Sequence, residues 1–167
     1  FVLQEEGVPV LLGGQGGGIG YSYGNKIGCL GGDCLMDPSV VVEFDIYNSS
    51  SDFWDYDNPG LGTIDDVACH HASIQKDSDQ RTSGTLVSPV CLLSGGTAVD
   101  DGVSRDVCIT WDAAAEEYIV SFAGSTIITY NANIRSNFTD PTTVYWGVTG
   151  SNGGVASTMQ ICNMSLE

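Results

Sequence analysis

The sequence predicts an all-β protein, an antiparallel β-sandwich or jelly roll, and three observations carry that expectation. Short apolar runs rich in Val, Ile, Tyr and Phe recur along the whole chain. Clusters of Gly, Asn, Asp and Ser separate them and supply turn chemistry. The one stretch of helical composition, "DAAAEE" at 112–117, is too short for a stable helix and sits between two good strands, so it reads as a hairpin connection.

Taken in order, the strand candidates are "FVLQ" (1–4), "VPVLL" (8–12), "SVVVEFDIY" (39–47), "ASIQ" (72–75) and "TLVSPVCLL" (85–93). They continue with "DVCITWD" (106–112), "EYIVSFAG" (117–124), "TIITY" (126–130), "TVYWGVTG" (143–150) and "STMQICNMSL" (157–166). The spacing of strands and turns is that of a two-sheet all-β domain. At 167 residues the chain reads as a single domain, 1–167, large enough to bury a core of its own.

Charge narrows the function classes. With 21 acidic and 5 basic residues the formal net charge is −16, which disfavours nucleic acid and anionic membrane as partners and tolerates a bound cation well. No apolar run reaches the roughly 18 to 20 residues of a membrane span, so no membrane insertion is expected. Six cysteines and N-x-S/T sequons at Asn48, Asn137 and Asn163 favour a secreted or cell-surface, extracellular glycoprotein with disulfide bonds. Cys29 and Cys34 enclose "LGGD" and could close a local disulfide, while Cys69, Cys91, Cys108 and Cys162 allow three pairings.

"SVVVEFDIY" holds the most informative pattern. In a strand, alternation puts Val42, Phe44 and Ile46 on one face and Glu43 and Asp45 on the other, with the two carboxylates roughly 7 Å apart along the strand. A lone E-x-D is ordinarily a solvated face. Here Tyr47, Asp52, Asp55, Asp57, Asn58, Asp65, Asp66 and His71 follow within a short span, with no lysine or arginine among them. Oxygen donors in that number suit calcium, and one imidazole added to carboxylates suits a transition metal such as manganese.

"VVVEFDIY", an acidic loop and then D-x-x-x-x-H-x-x-I together resemble the metal-binding strand and loop of the L-type (legume-like) lectins, closest in flavour to the lectin-like domains of bacterial surface proteins. "FVLQEEG", "GGGIGY", "VCITWDAAAEEYIVSFAG" and "VYWGVTGSNGG" resemble further segments of that family in the right order. The resemblance implies a concanavalin-like jelly roll and a calcium-dependent, carbohydrate-binding function directed at glycans. It puts Glu43, Asp45, Asp66 and His71 at a transition-metal site of the Mn2+ kind. Calcium (Ca2+) would take Asp45, the backbone carbonyl of Tyr47, Asp66 and a loop donor, Asp57 or Asn58. For the sugar, the amide of Gly17 or Gly18, a ring from Phe53, Trp54 or Tyr56, and Ser151 with Asn152 would form the pocket.

The resemblance also implies strands, and an aspartate that accepts sugar hydroxyls, ahead of the segment matched by Phe1. The expectation is therefore an N-terminally incomplete domain, a fragment of a longer polypeptide, or one whose missing β-strands come from another chain or another copy of itself. The second possibility points to a structural or adhesive subunit of an extracellular fibre or surface layer. Catalysis is not expected. A glycosidase pair built on Glu43 and Asp45 would need a further glutamate where Tyr47 stands.

Overall fold

The computed structural model describes residues 1–5, 7, 19–21, 36–47, 67–80, 84–96, 98–152 and 158–162. These residues form two antiparallel sheets, and no helix among them is long and apolar enough to cross a membrane. The strands are β1 (Val2–Gln4), β2 (Ser39–Asp45), β3 (His71–Lys76), β4 (Thr85–Cys91), β5 (Val107–Asp112), β6 (Glu117–Phe122), β7 (Ser125–Asn131) and β8 (Tyr145–Gly147). One sheet has the order β4-β3-β2-β1-β8 and the other β5-β6-β7.

Alternation along β2 explains how the sheets meet. Val40 and Val42 of β2, with Ala72 and Ile74 of β3, are buried against Tyr118, Val120 and Phe122 of β6 and Ile128 of β7. Each such aliphatic side chain removed from water contributes about 1.5–3 kcal/mol, so this shared layer is what holds the two sheets face to face. Phe44 packs at the border of the layer, its ring centroid 6.2 Å from that of Phe122. Ile46, expected on the same face, lies beyond the strand end and is 37% exposed.

The connections follow their sequences. Asp77 and Ser78 both adopt positive φ between Lys76 and its bridge partner Asp79, and Ala123 and Gly124 do the same between β6 and β7. Paired left-handed residues match the right-handed twist of the flanking strands. "DAAAEE" forms the β5–β6 connection as expected, where the Asp112 carboxylate accepts hydrogen bonds from the amides of Ala114 (2.8 Å) and Ala115 (2.9 Å). Those bonds hold the Asp112 carboxyl below its ordinary range. Pro89 lies in β4, the outer strand of its sheet among the described residues, where Ser88 and Pro89 together oppose Ser73 in a bulge. That is where a residue without an N–H is tolerated.

Three strand expectations need correction. β2 ends at Asp45 and not at Tyr47, because the Asp45 carboxylate turns back to accept the Tyr47 amide at 2.6 Å and closes a local turn. The strand in "TVYWGVTG" shrinks to Tyr145–Gly147. Within "STMQICNMSL" the described residues 158–162 form no strand, and Met159 and Ile161 stand exposed instead of packing into a face. "VPVLL" lies outside the described residues.

Candidate metal centre

The register of β2 and β3 builds the centre. Asp45 faces His71 and Glu43 faces Ser73, so the side chains opposite the sandwich core are Val41, Glu43 and Asp45 on one strand and His71, Ser73 and Gln75 on the next. One ligand atom from each of Glu43, Asp45 and His71 lies within 4.8 Å of the others. An ion with bonds of about 2.0–2.6 Å holds its donors no further apart than about 5 Å, so the three side chains could hold a metal ion between them.

This face is not the solvated surface that a lone E-x-D implies. Glu43 is 6% exposed and His71 2%. The cover comes from elsewhere in the chain: Tyr21, 1% exposed, packs with Met36, Val41 and Val2 in a second apolar cluster. Its hydroxyl donates to Glu43 Oε2 at 2.5 Å. Gln80 Nε2 donates to Glu43 Oε1 at 3.1 Å, and the Ser73 hydroxyl donates more weakly to Oε2 at 3.4 Å. Ser73 in turn accepts from Gln75 Nε2 (2.9 Å), whose amide oxygen accepts from the Thr85 hydroxyl (3.0 Å).

Electrostatics set the character of the centre. Burial pushes the Glu43 carboxyl above its ordinary value of 4.5. The Tyr21 hydrogen bond opposes that shift, the Asp45 charge adds to it, and Gln80 and His71 oppose it. Burial, and then the Glu43 charge, push the Tyr21 hydroxyl well above its ordinary range, so it serves as a fixed donor. A buried carboxylate costs several kcal/mol, while each hydrogen bond to it returns about 1.5–3 kcal/mol. A cation beside Glu43 and Asp45 would offset the remainder.

His71 is held in the tautomer a metal ligand needs. Its Nδ1 lies 3.0 Å from the Cys69 carbonyl oxygen, which can only accept, so Nδ1 carries the proton and the neutral ring has its lone pair on Nε2. A disulfide between Cys69 and Cys91 anchors that carbonyl, and Cys91 pairs with His71 across β3 and β4. Closing a loop of 22 residues contributes about 3 kcal/mol through the unfolded chain, and here the same bond steadies the turn that aims the imidazole. Neighbouring His70 has another task, since its Nδ1 accepts the Val99 amide at 3.0 Å.

The other expected site residues divide in two. Tyr47 follows Asp45 in its turn, with its side chain exposed. Ser151 and Asn152 follow Gly150, which packs on Gly20: a Cβ on Gly20 would sit 3.1 Å from the Gly150 amide, and φ there is +75°. The Thr149 hydroxyl donates to the Ile19 carbonyl at 3.2 Å, so the loop bearing Ser151 and Asn152 rests on the segment whose Tyr21 reaches Glu43. Asn137 closes a short 3-10 turn, Ile134–Asn137, its Nδ2 donating to the Ile134 carbonyl at 3.1 Å. Gly17, Gly18, Phe53, Trp54, Tyr56, Asp57, Asn58, Asp66, Asn48, Asn163 and the Cys29 and Cys34 pair lie outside the described residues.

Sequence reasoning missed Tyr21, Gln80, Ser73 and Gln75. For the last two the signal was present, because in "HASIQK" the polar residues share the face of His71. Tyr21 and Gln80 come from distant segments that no periodicity ties to Glu43. Cys69–Cys91 is a pair the spacing left open, while Cys108 and Cys162 are free and exposed. No protein-family model matches the chain.

Proposed function

We propose that this chain is an extracellular, cation-dependent carbohydrate-binding domain of the L-type lectin kind. The observation that carries the reading is the convergence of Glu43, Asp45 and His71 on the sheet face away from the sandwich core, roofed by Tyr21 and adjoined by the loop that leads to Ser151 and Asn152. In this reading Glu43, Asp45 and His71, together with Asp66, hold a transition metal such as Mn2+, because an imidazole nitrogen with carboxylates suits such an ion better than calcium. Calcium takes Asp45, the Tyr47 carbonyl, Asp66 and Asp57 or Asn58, which supply the oxygen donors it prefers. The ions fix the loops that present amide, hydroxyl and ring groups to a sugar. The Cys69–Cys91 disulfide and the sequons support an extracellular setting.

A second reading, a structural or adhesive subunit of a fibre or surface layer that uses the same fold without binding sugar, has one observation in its favour. β8 is the outer strand of its sheet among the described residues, and Tyr145 and Trp146 on it are each 44% exposed. A glycan array probed in calcium and manganese, and again in EDTA, separates the two. Binding that disappears in EDTA and returns with the metals is expected. Cation-independent binding, or none in either buffer, would overturn the lectin reading.

A further inference from the structure

Cys108 lies on β5, and the hydrogen-bond phase of that strand fixes what its outer edge presents. The Ala123 amide donates to the Asp106 carbonyl at 2.9 Å, and the two residues are opposite one another in the register that pairs Val107 with Phe122. Along an antiparallel strand the residues that bond to a given neighbour alternate. Asp106, Cys108, Thr110 and Asp112 therefore point their backbone groups at β6, while Val107, Ile109 and Trp111 point theirs at the open side, where the described residues place no further strand. At that open side Cys108 occupies a position of the closely spaced kind. A strand laid antiparallel there would bring its facing Cα to about 4.5 Å, inside the range of about 4.4–6.8 Å that a disulfide spans.

We infer that β5 is a self-pairing edge, on which a second copy of this chain docks antiparallel about a two-fold axis through Cys108 and is locked by a Cys108–Cys108 disulfide. The thiol is exposed and free, on the outer face of the sheet with Thr110, to whose hydroxyl it lies 3.6 Å away. A two-fold at 108 sets Val107, 47% exposed, against Ile109 of the second copy, an apolar pair. It sets Asp106 against Thr110 and Asp112 against Ser104, so no carboxylate of β5 stands directly opposite another, although the formal charge is −16 per chain. Arg105 and Asp101 neutralise each other in a two-point ion pair beside the strand. Such an interface uses the same patch twice and consumes the edge, so it closes at a dimer and does not propagate.

The redox step is ordinary exchange. One Cys108 thiolate attacks a small-molecule disulfide and releases one thiol. The Cys108 thiolate of the second copy then displaces the other half, so two thiols lose two electrons and two protons and the oxidant becomes two thiols. Incubation of the chain with oxidised glutathione, followed by non-reducing electrophoresis and peptide mapping, tests this. Wild type and Cys162→Ser should give a dimer linked through Cys108 on both chains, and Cys108→Ser should give none. Thr110→Asp, an exposed change that places aspartates opposite Asp106 across the axis, should lower the dimer yield severalfold with both cysteines intact. A Cys108 that stays glutathionylated or monomeric, a dimer linked through Cys162, Cys108 bonded to a cysteine of its own chain, or an unchanged yield in Thr110→Asp would each overturn the inference.

Discussion

Glu43→Gln is expected to melt at or above wild type in EDTA and below it in saturating manganese, so that the order of the two proteins reverses with the metal. In EDTA the wild-type chain holds a carboxylate that is 6% exposed, beside Asp45. An amide of the same shape removes the cost of burying that charge, and its oxygen still accepts from Tyr21. The gain should be about 1 kcal/mol, or a few degrees in Tm for a chain of this size. With metal the balance changes: a ligand at a hundred times its Kd stabilises by about 2.7 kcal/mol, which the variant forfeits.

The pH dependence has a definite sign. Because burial raises the folded carboxyl above 4.5, the folded state binds the proton more tightly than the unfolded state. Glu43 therefore favours folding below its ordinary value and loses that contribution as pH rises through the raised one. In EDTA, the advantage of Glu43→Gln over wild type should grow as pH rises from about 4.5. Paired melts across that range measure it. A gap that shrinks with rising pH would contradict the burial argument.

Gly84→Ala is expected to cost about 3 kcal/mol, because among the described glycines it is the one where an added Cβ meets the closest atoms. A Cβ there would sit 2.2 Å from the Asp79 carbonyl oxygen, 2.6 Å from Asp79 Cβ and 2.9 Å from its carbonyl carbon. Two of those atoms are backbone and cannot rotate away. The Gly84 carbonyl also accepts the Lys76 amide at 2.9 Å, so relief means dragging the start of β4 off β3, the strand that carries His71. Gly147→Ala is the control: nothing lies within 4 Å of its Cβ, and its stability should change by less than about 0.5 kcal/mol. Urea titrations of both variants check the pair, and equal midpoints would contradict the clash.

Much of this arrangement was legible in the sequence, for a reason that also marks the limit. A strand has a period of two, so "VVVEFDIY" alone assigns Val42, Phe44 and Ile46 to the core and Glu43 and Asp45 to the opposite face; the structure agrees for all but Ile46, which lies beyond the strand end and is 37% exposed. His71 came with them through the donors gathered near it. The cover over that face was not legible. Tyr21 lies 22 residues from Glu43 and Gln80 lies 37, and long-range packing leaves no local period. Glycine-rich "GGGIGY" drew attention to its glycines as amide donors, whereas the described contact to the centre comes from the tyrosine at its end. Cysteine pairing was illegible as well, since spacing permits several partners and only the β3–β4 register brings Cys69 to Cys91.

Binding of one ion by Glu43, Asp45 and His71 together should remove the free Mn2+ paramagnetic resonance signal on titration into metal-stripped protein. Wild type should take up one ion at the centre, and His71→Gln, which keeps a donor for the Cys69 carbonyl, should bind it about tenfold to a hundredfold more weakly while remaining folded. No uptake by wild type, or equal uptake by the folded His71→Gln chain, would contradict joint binding by the three side chains.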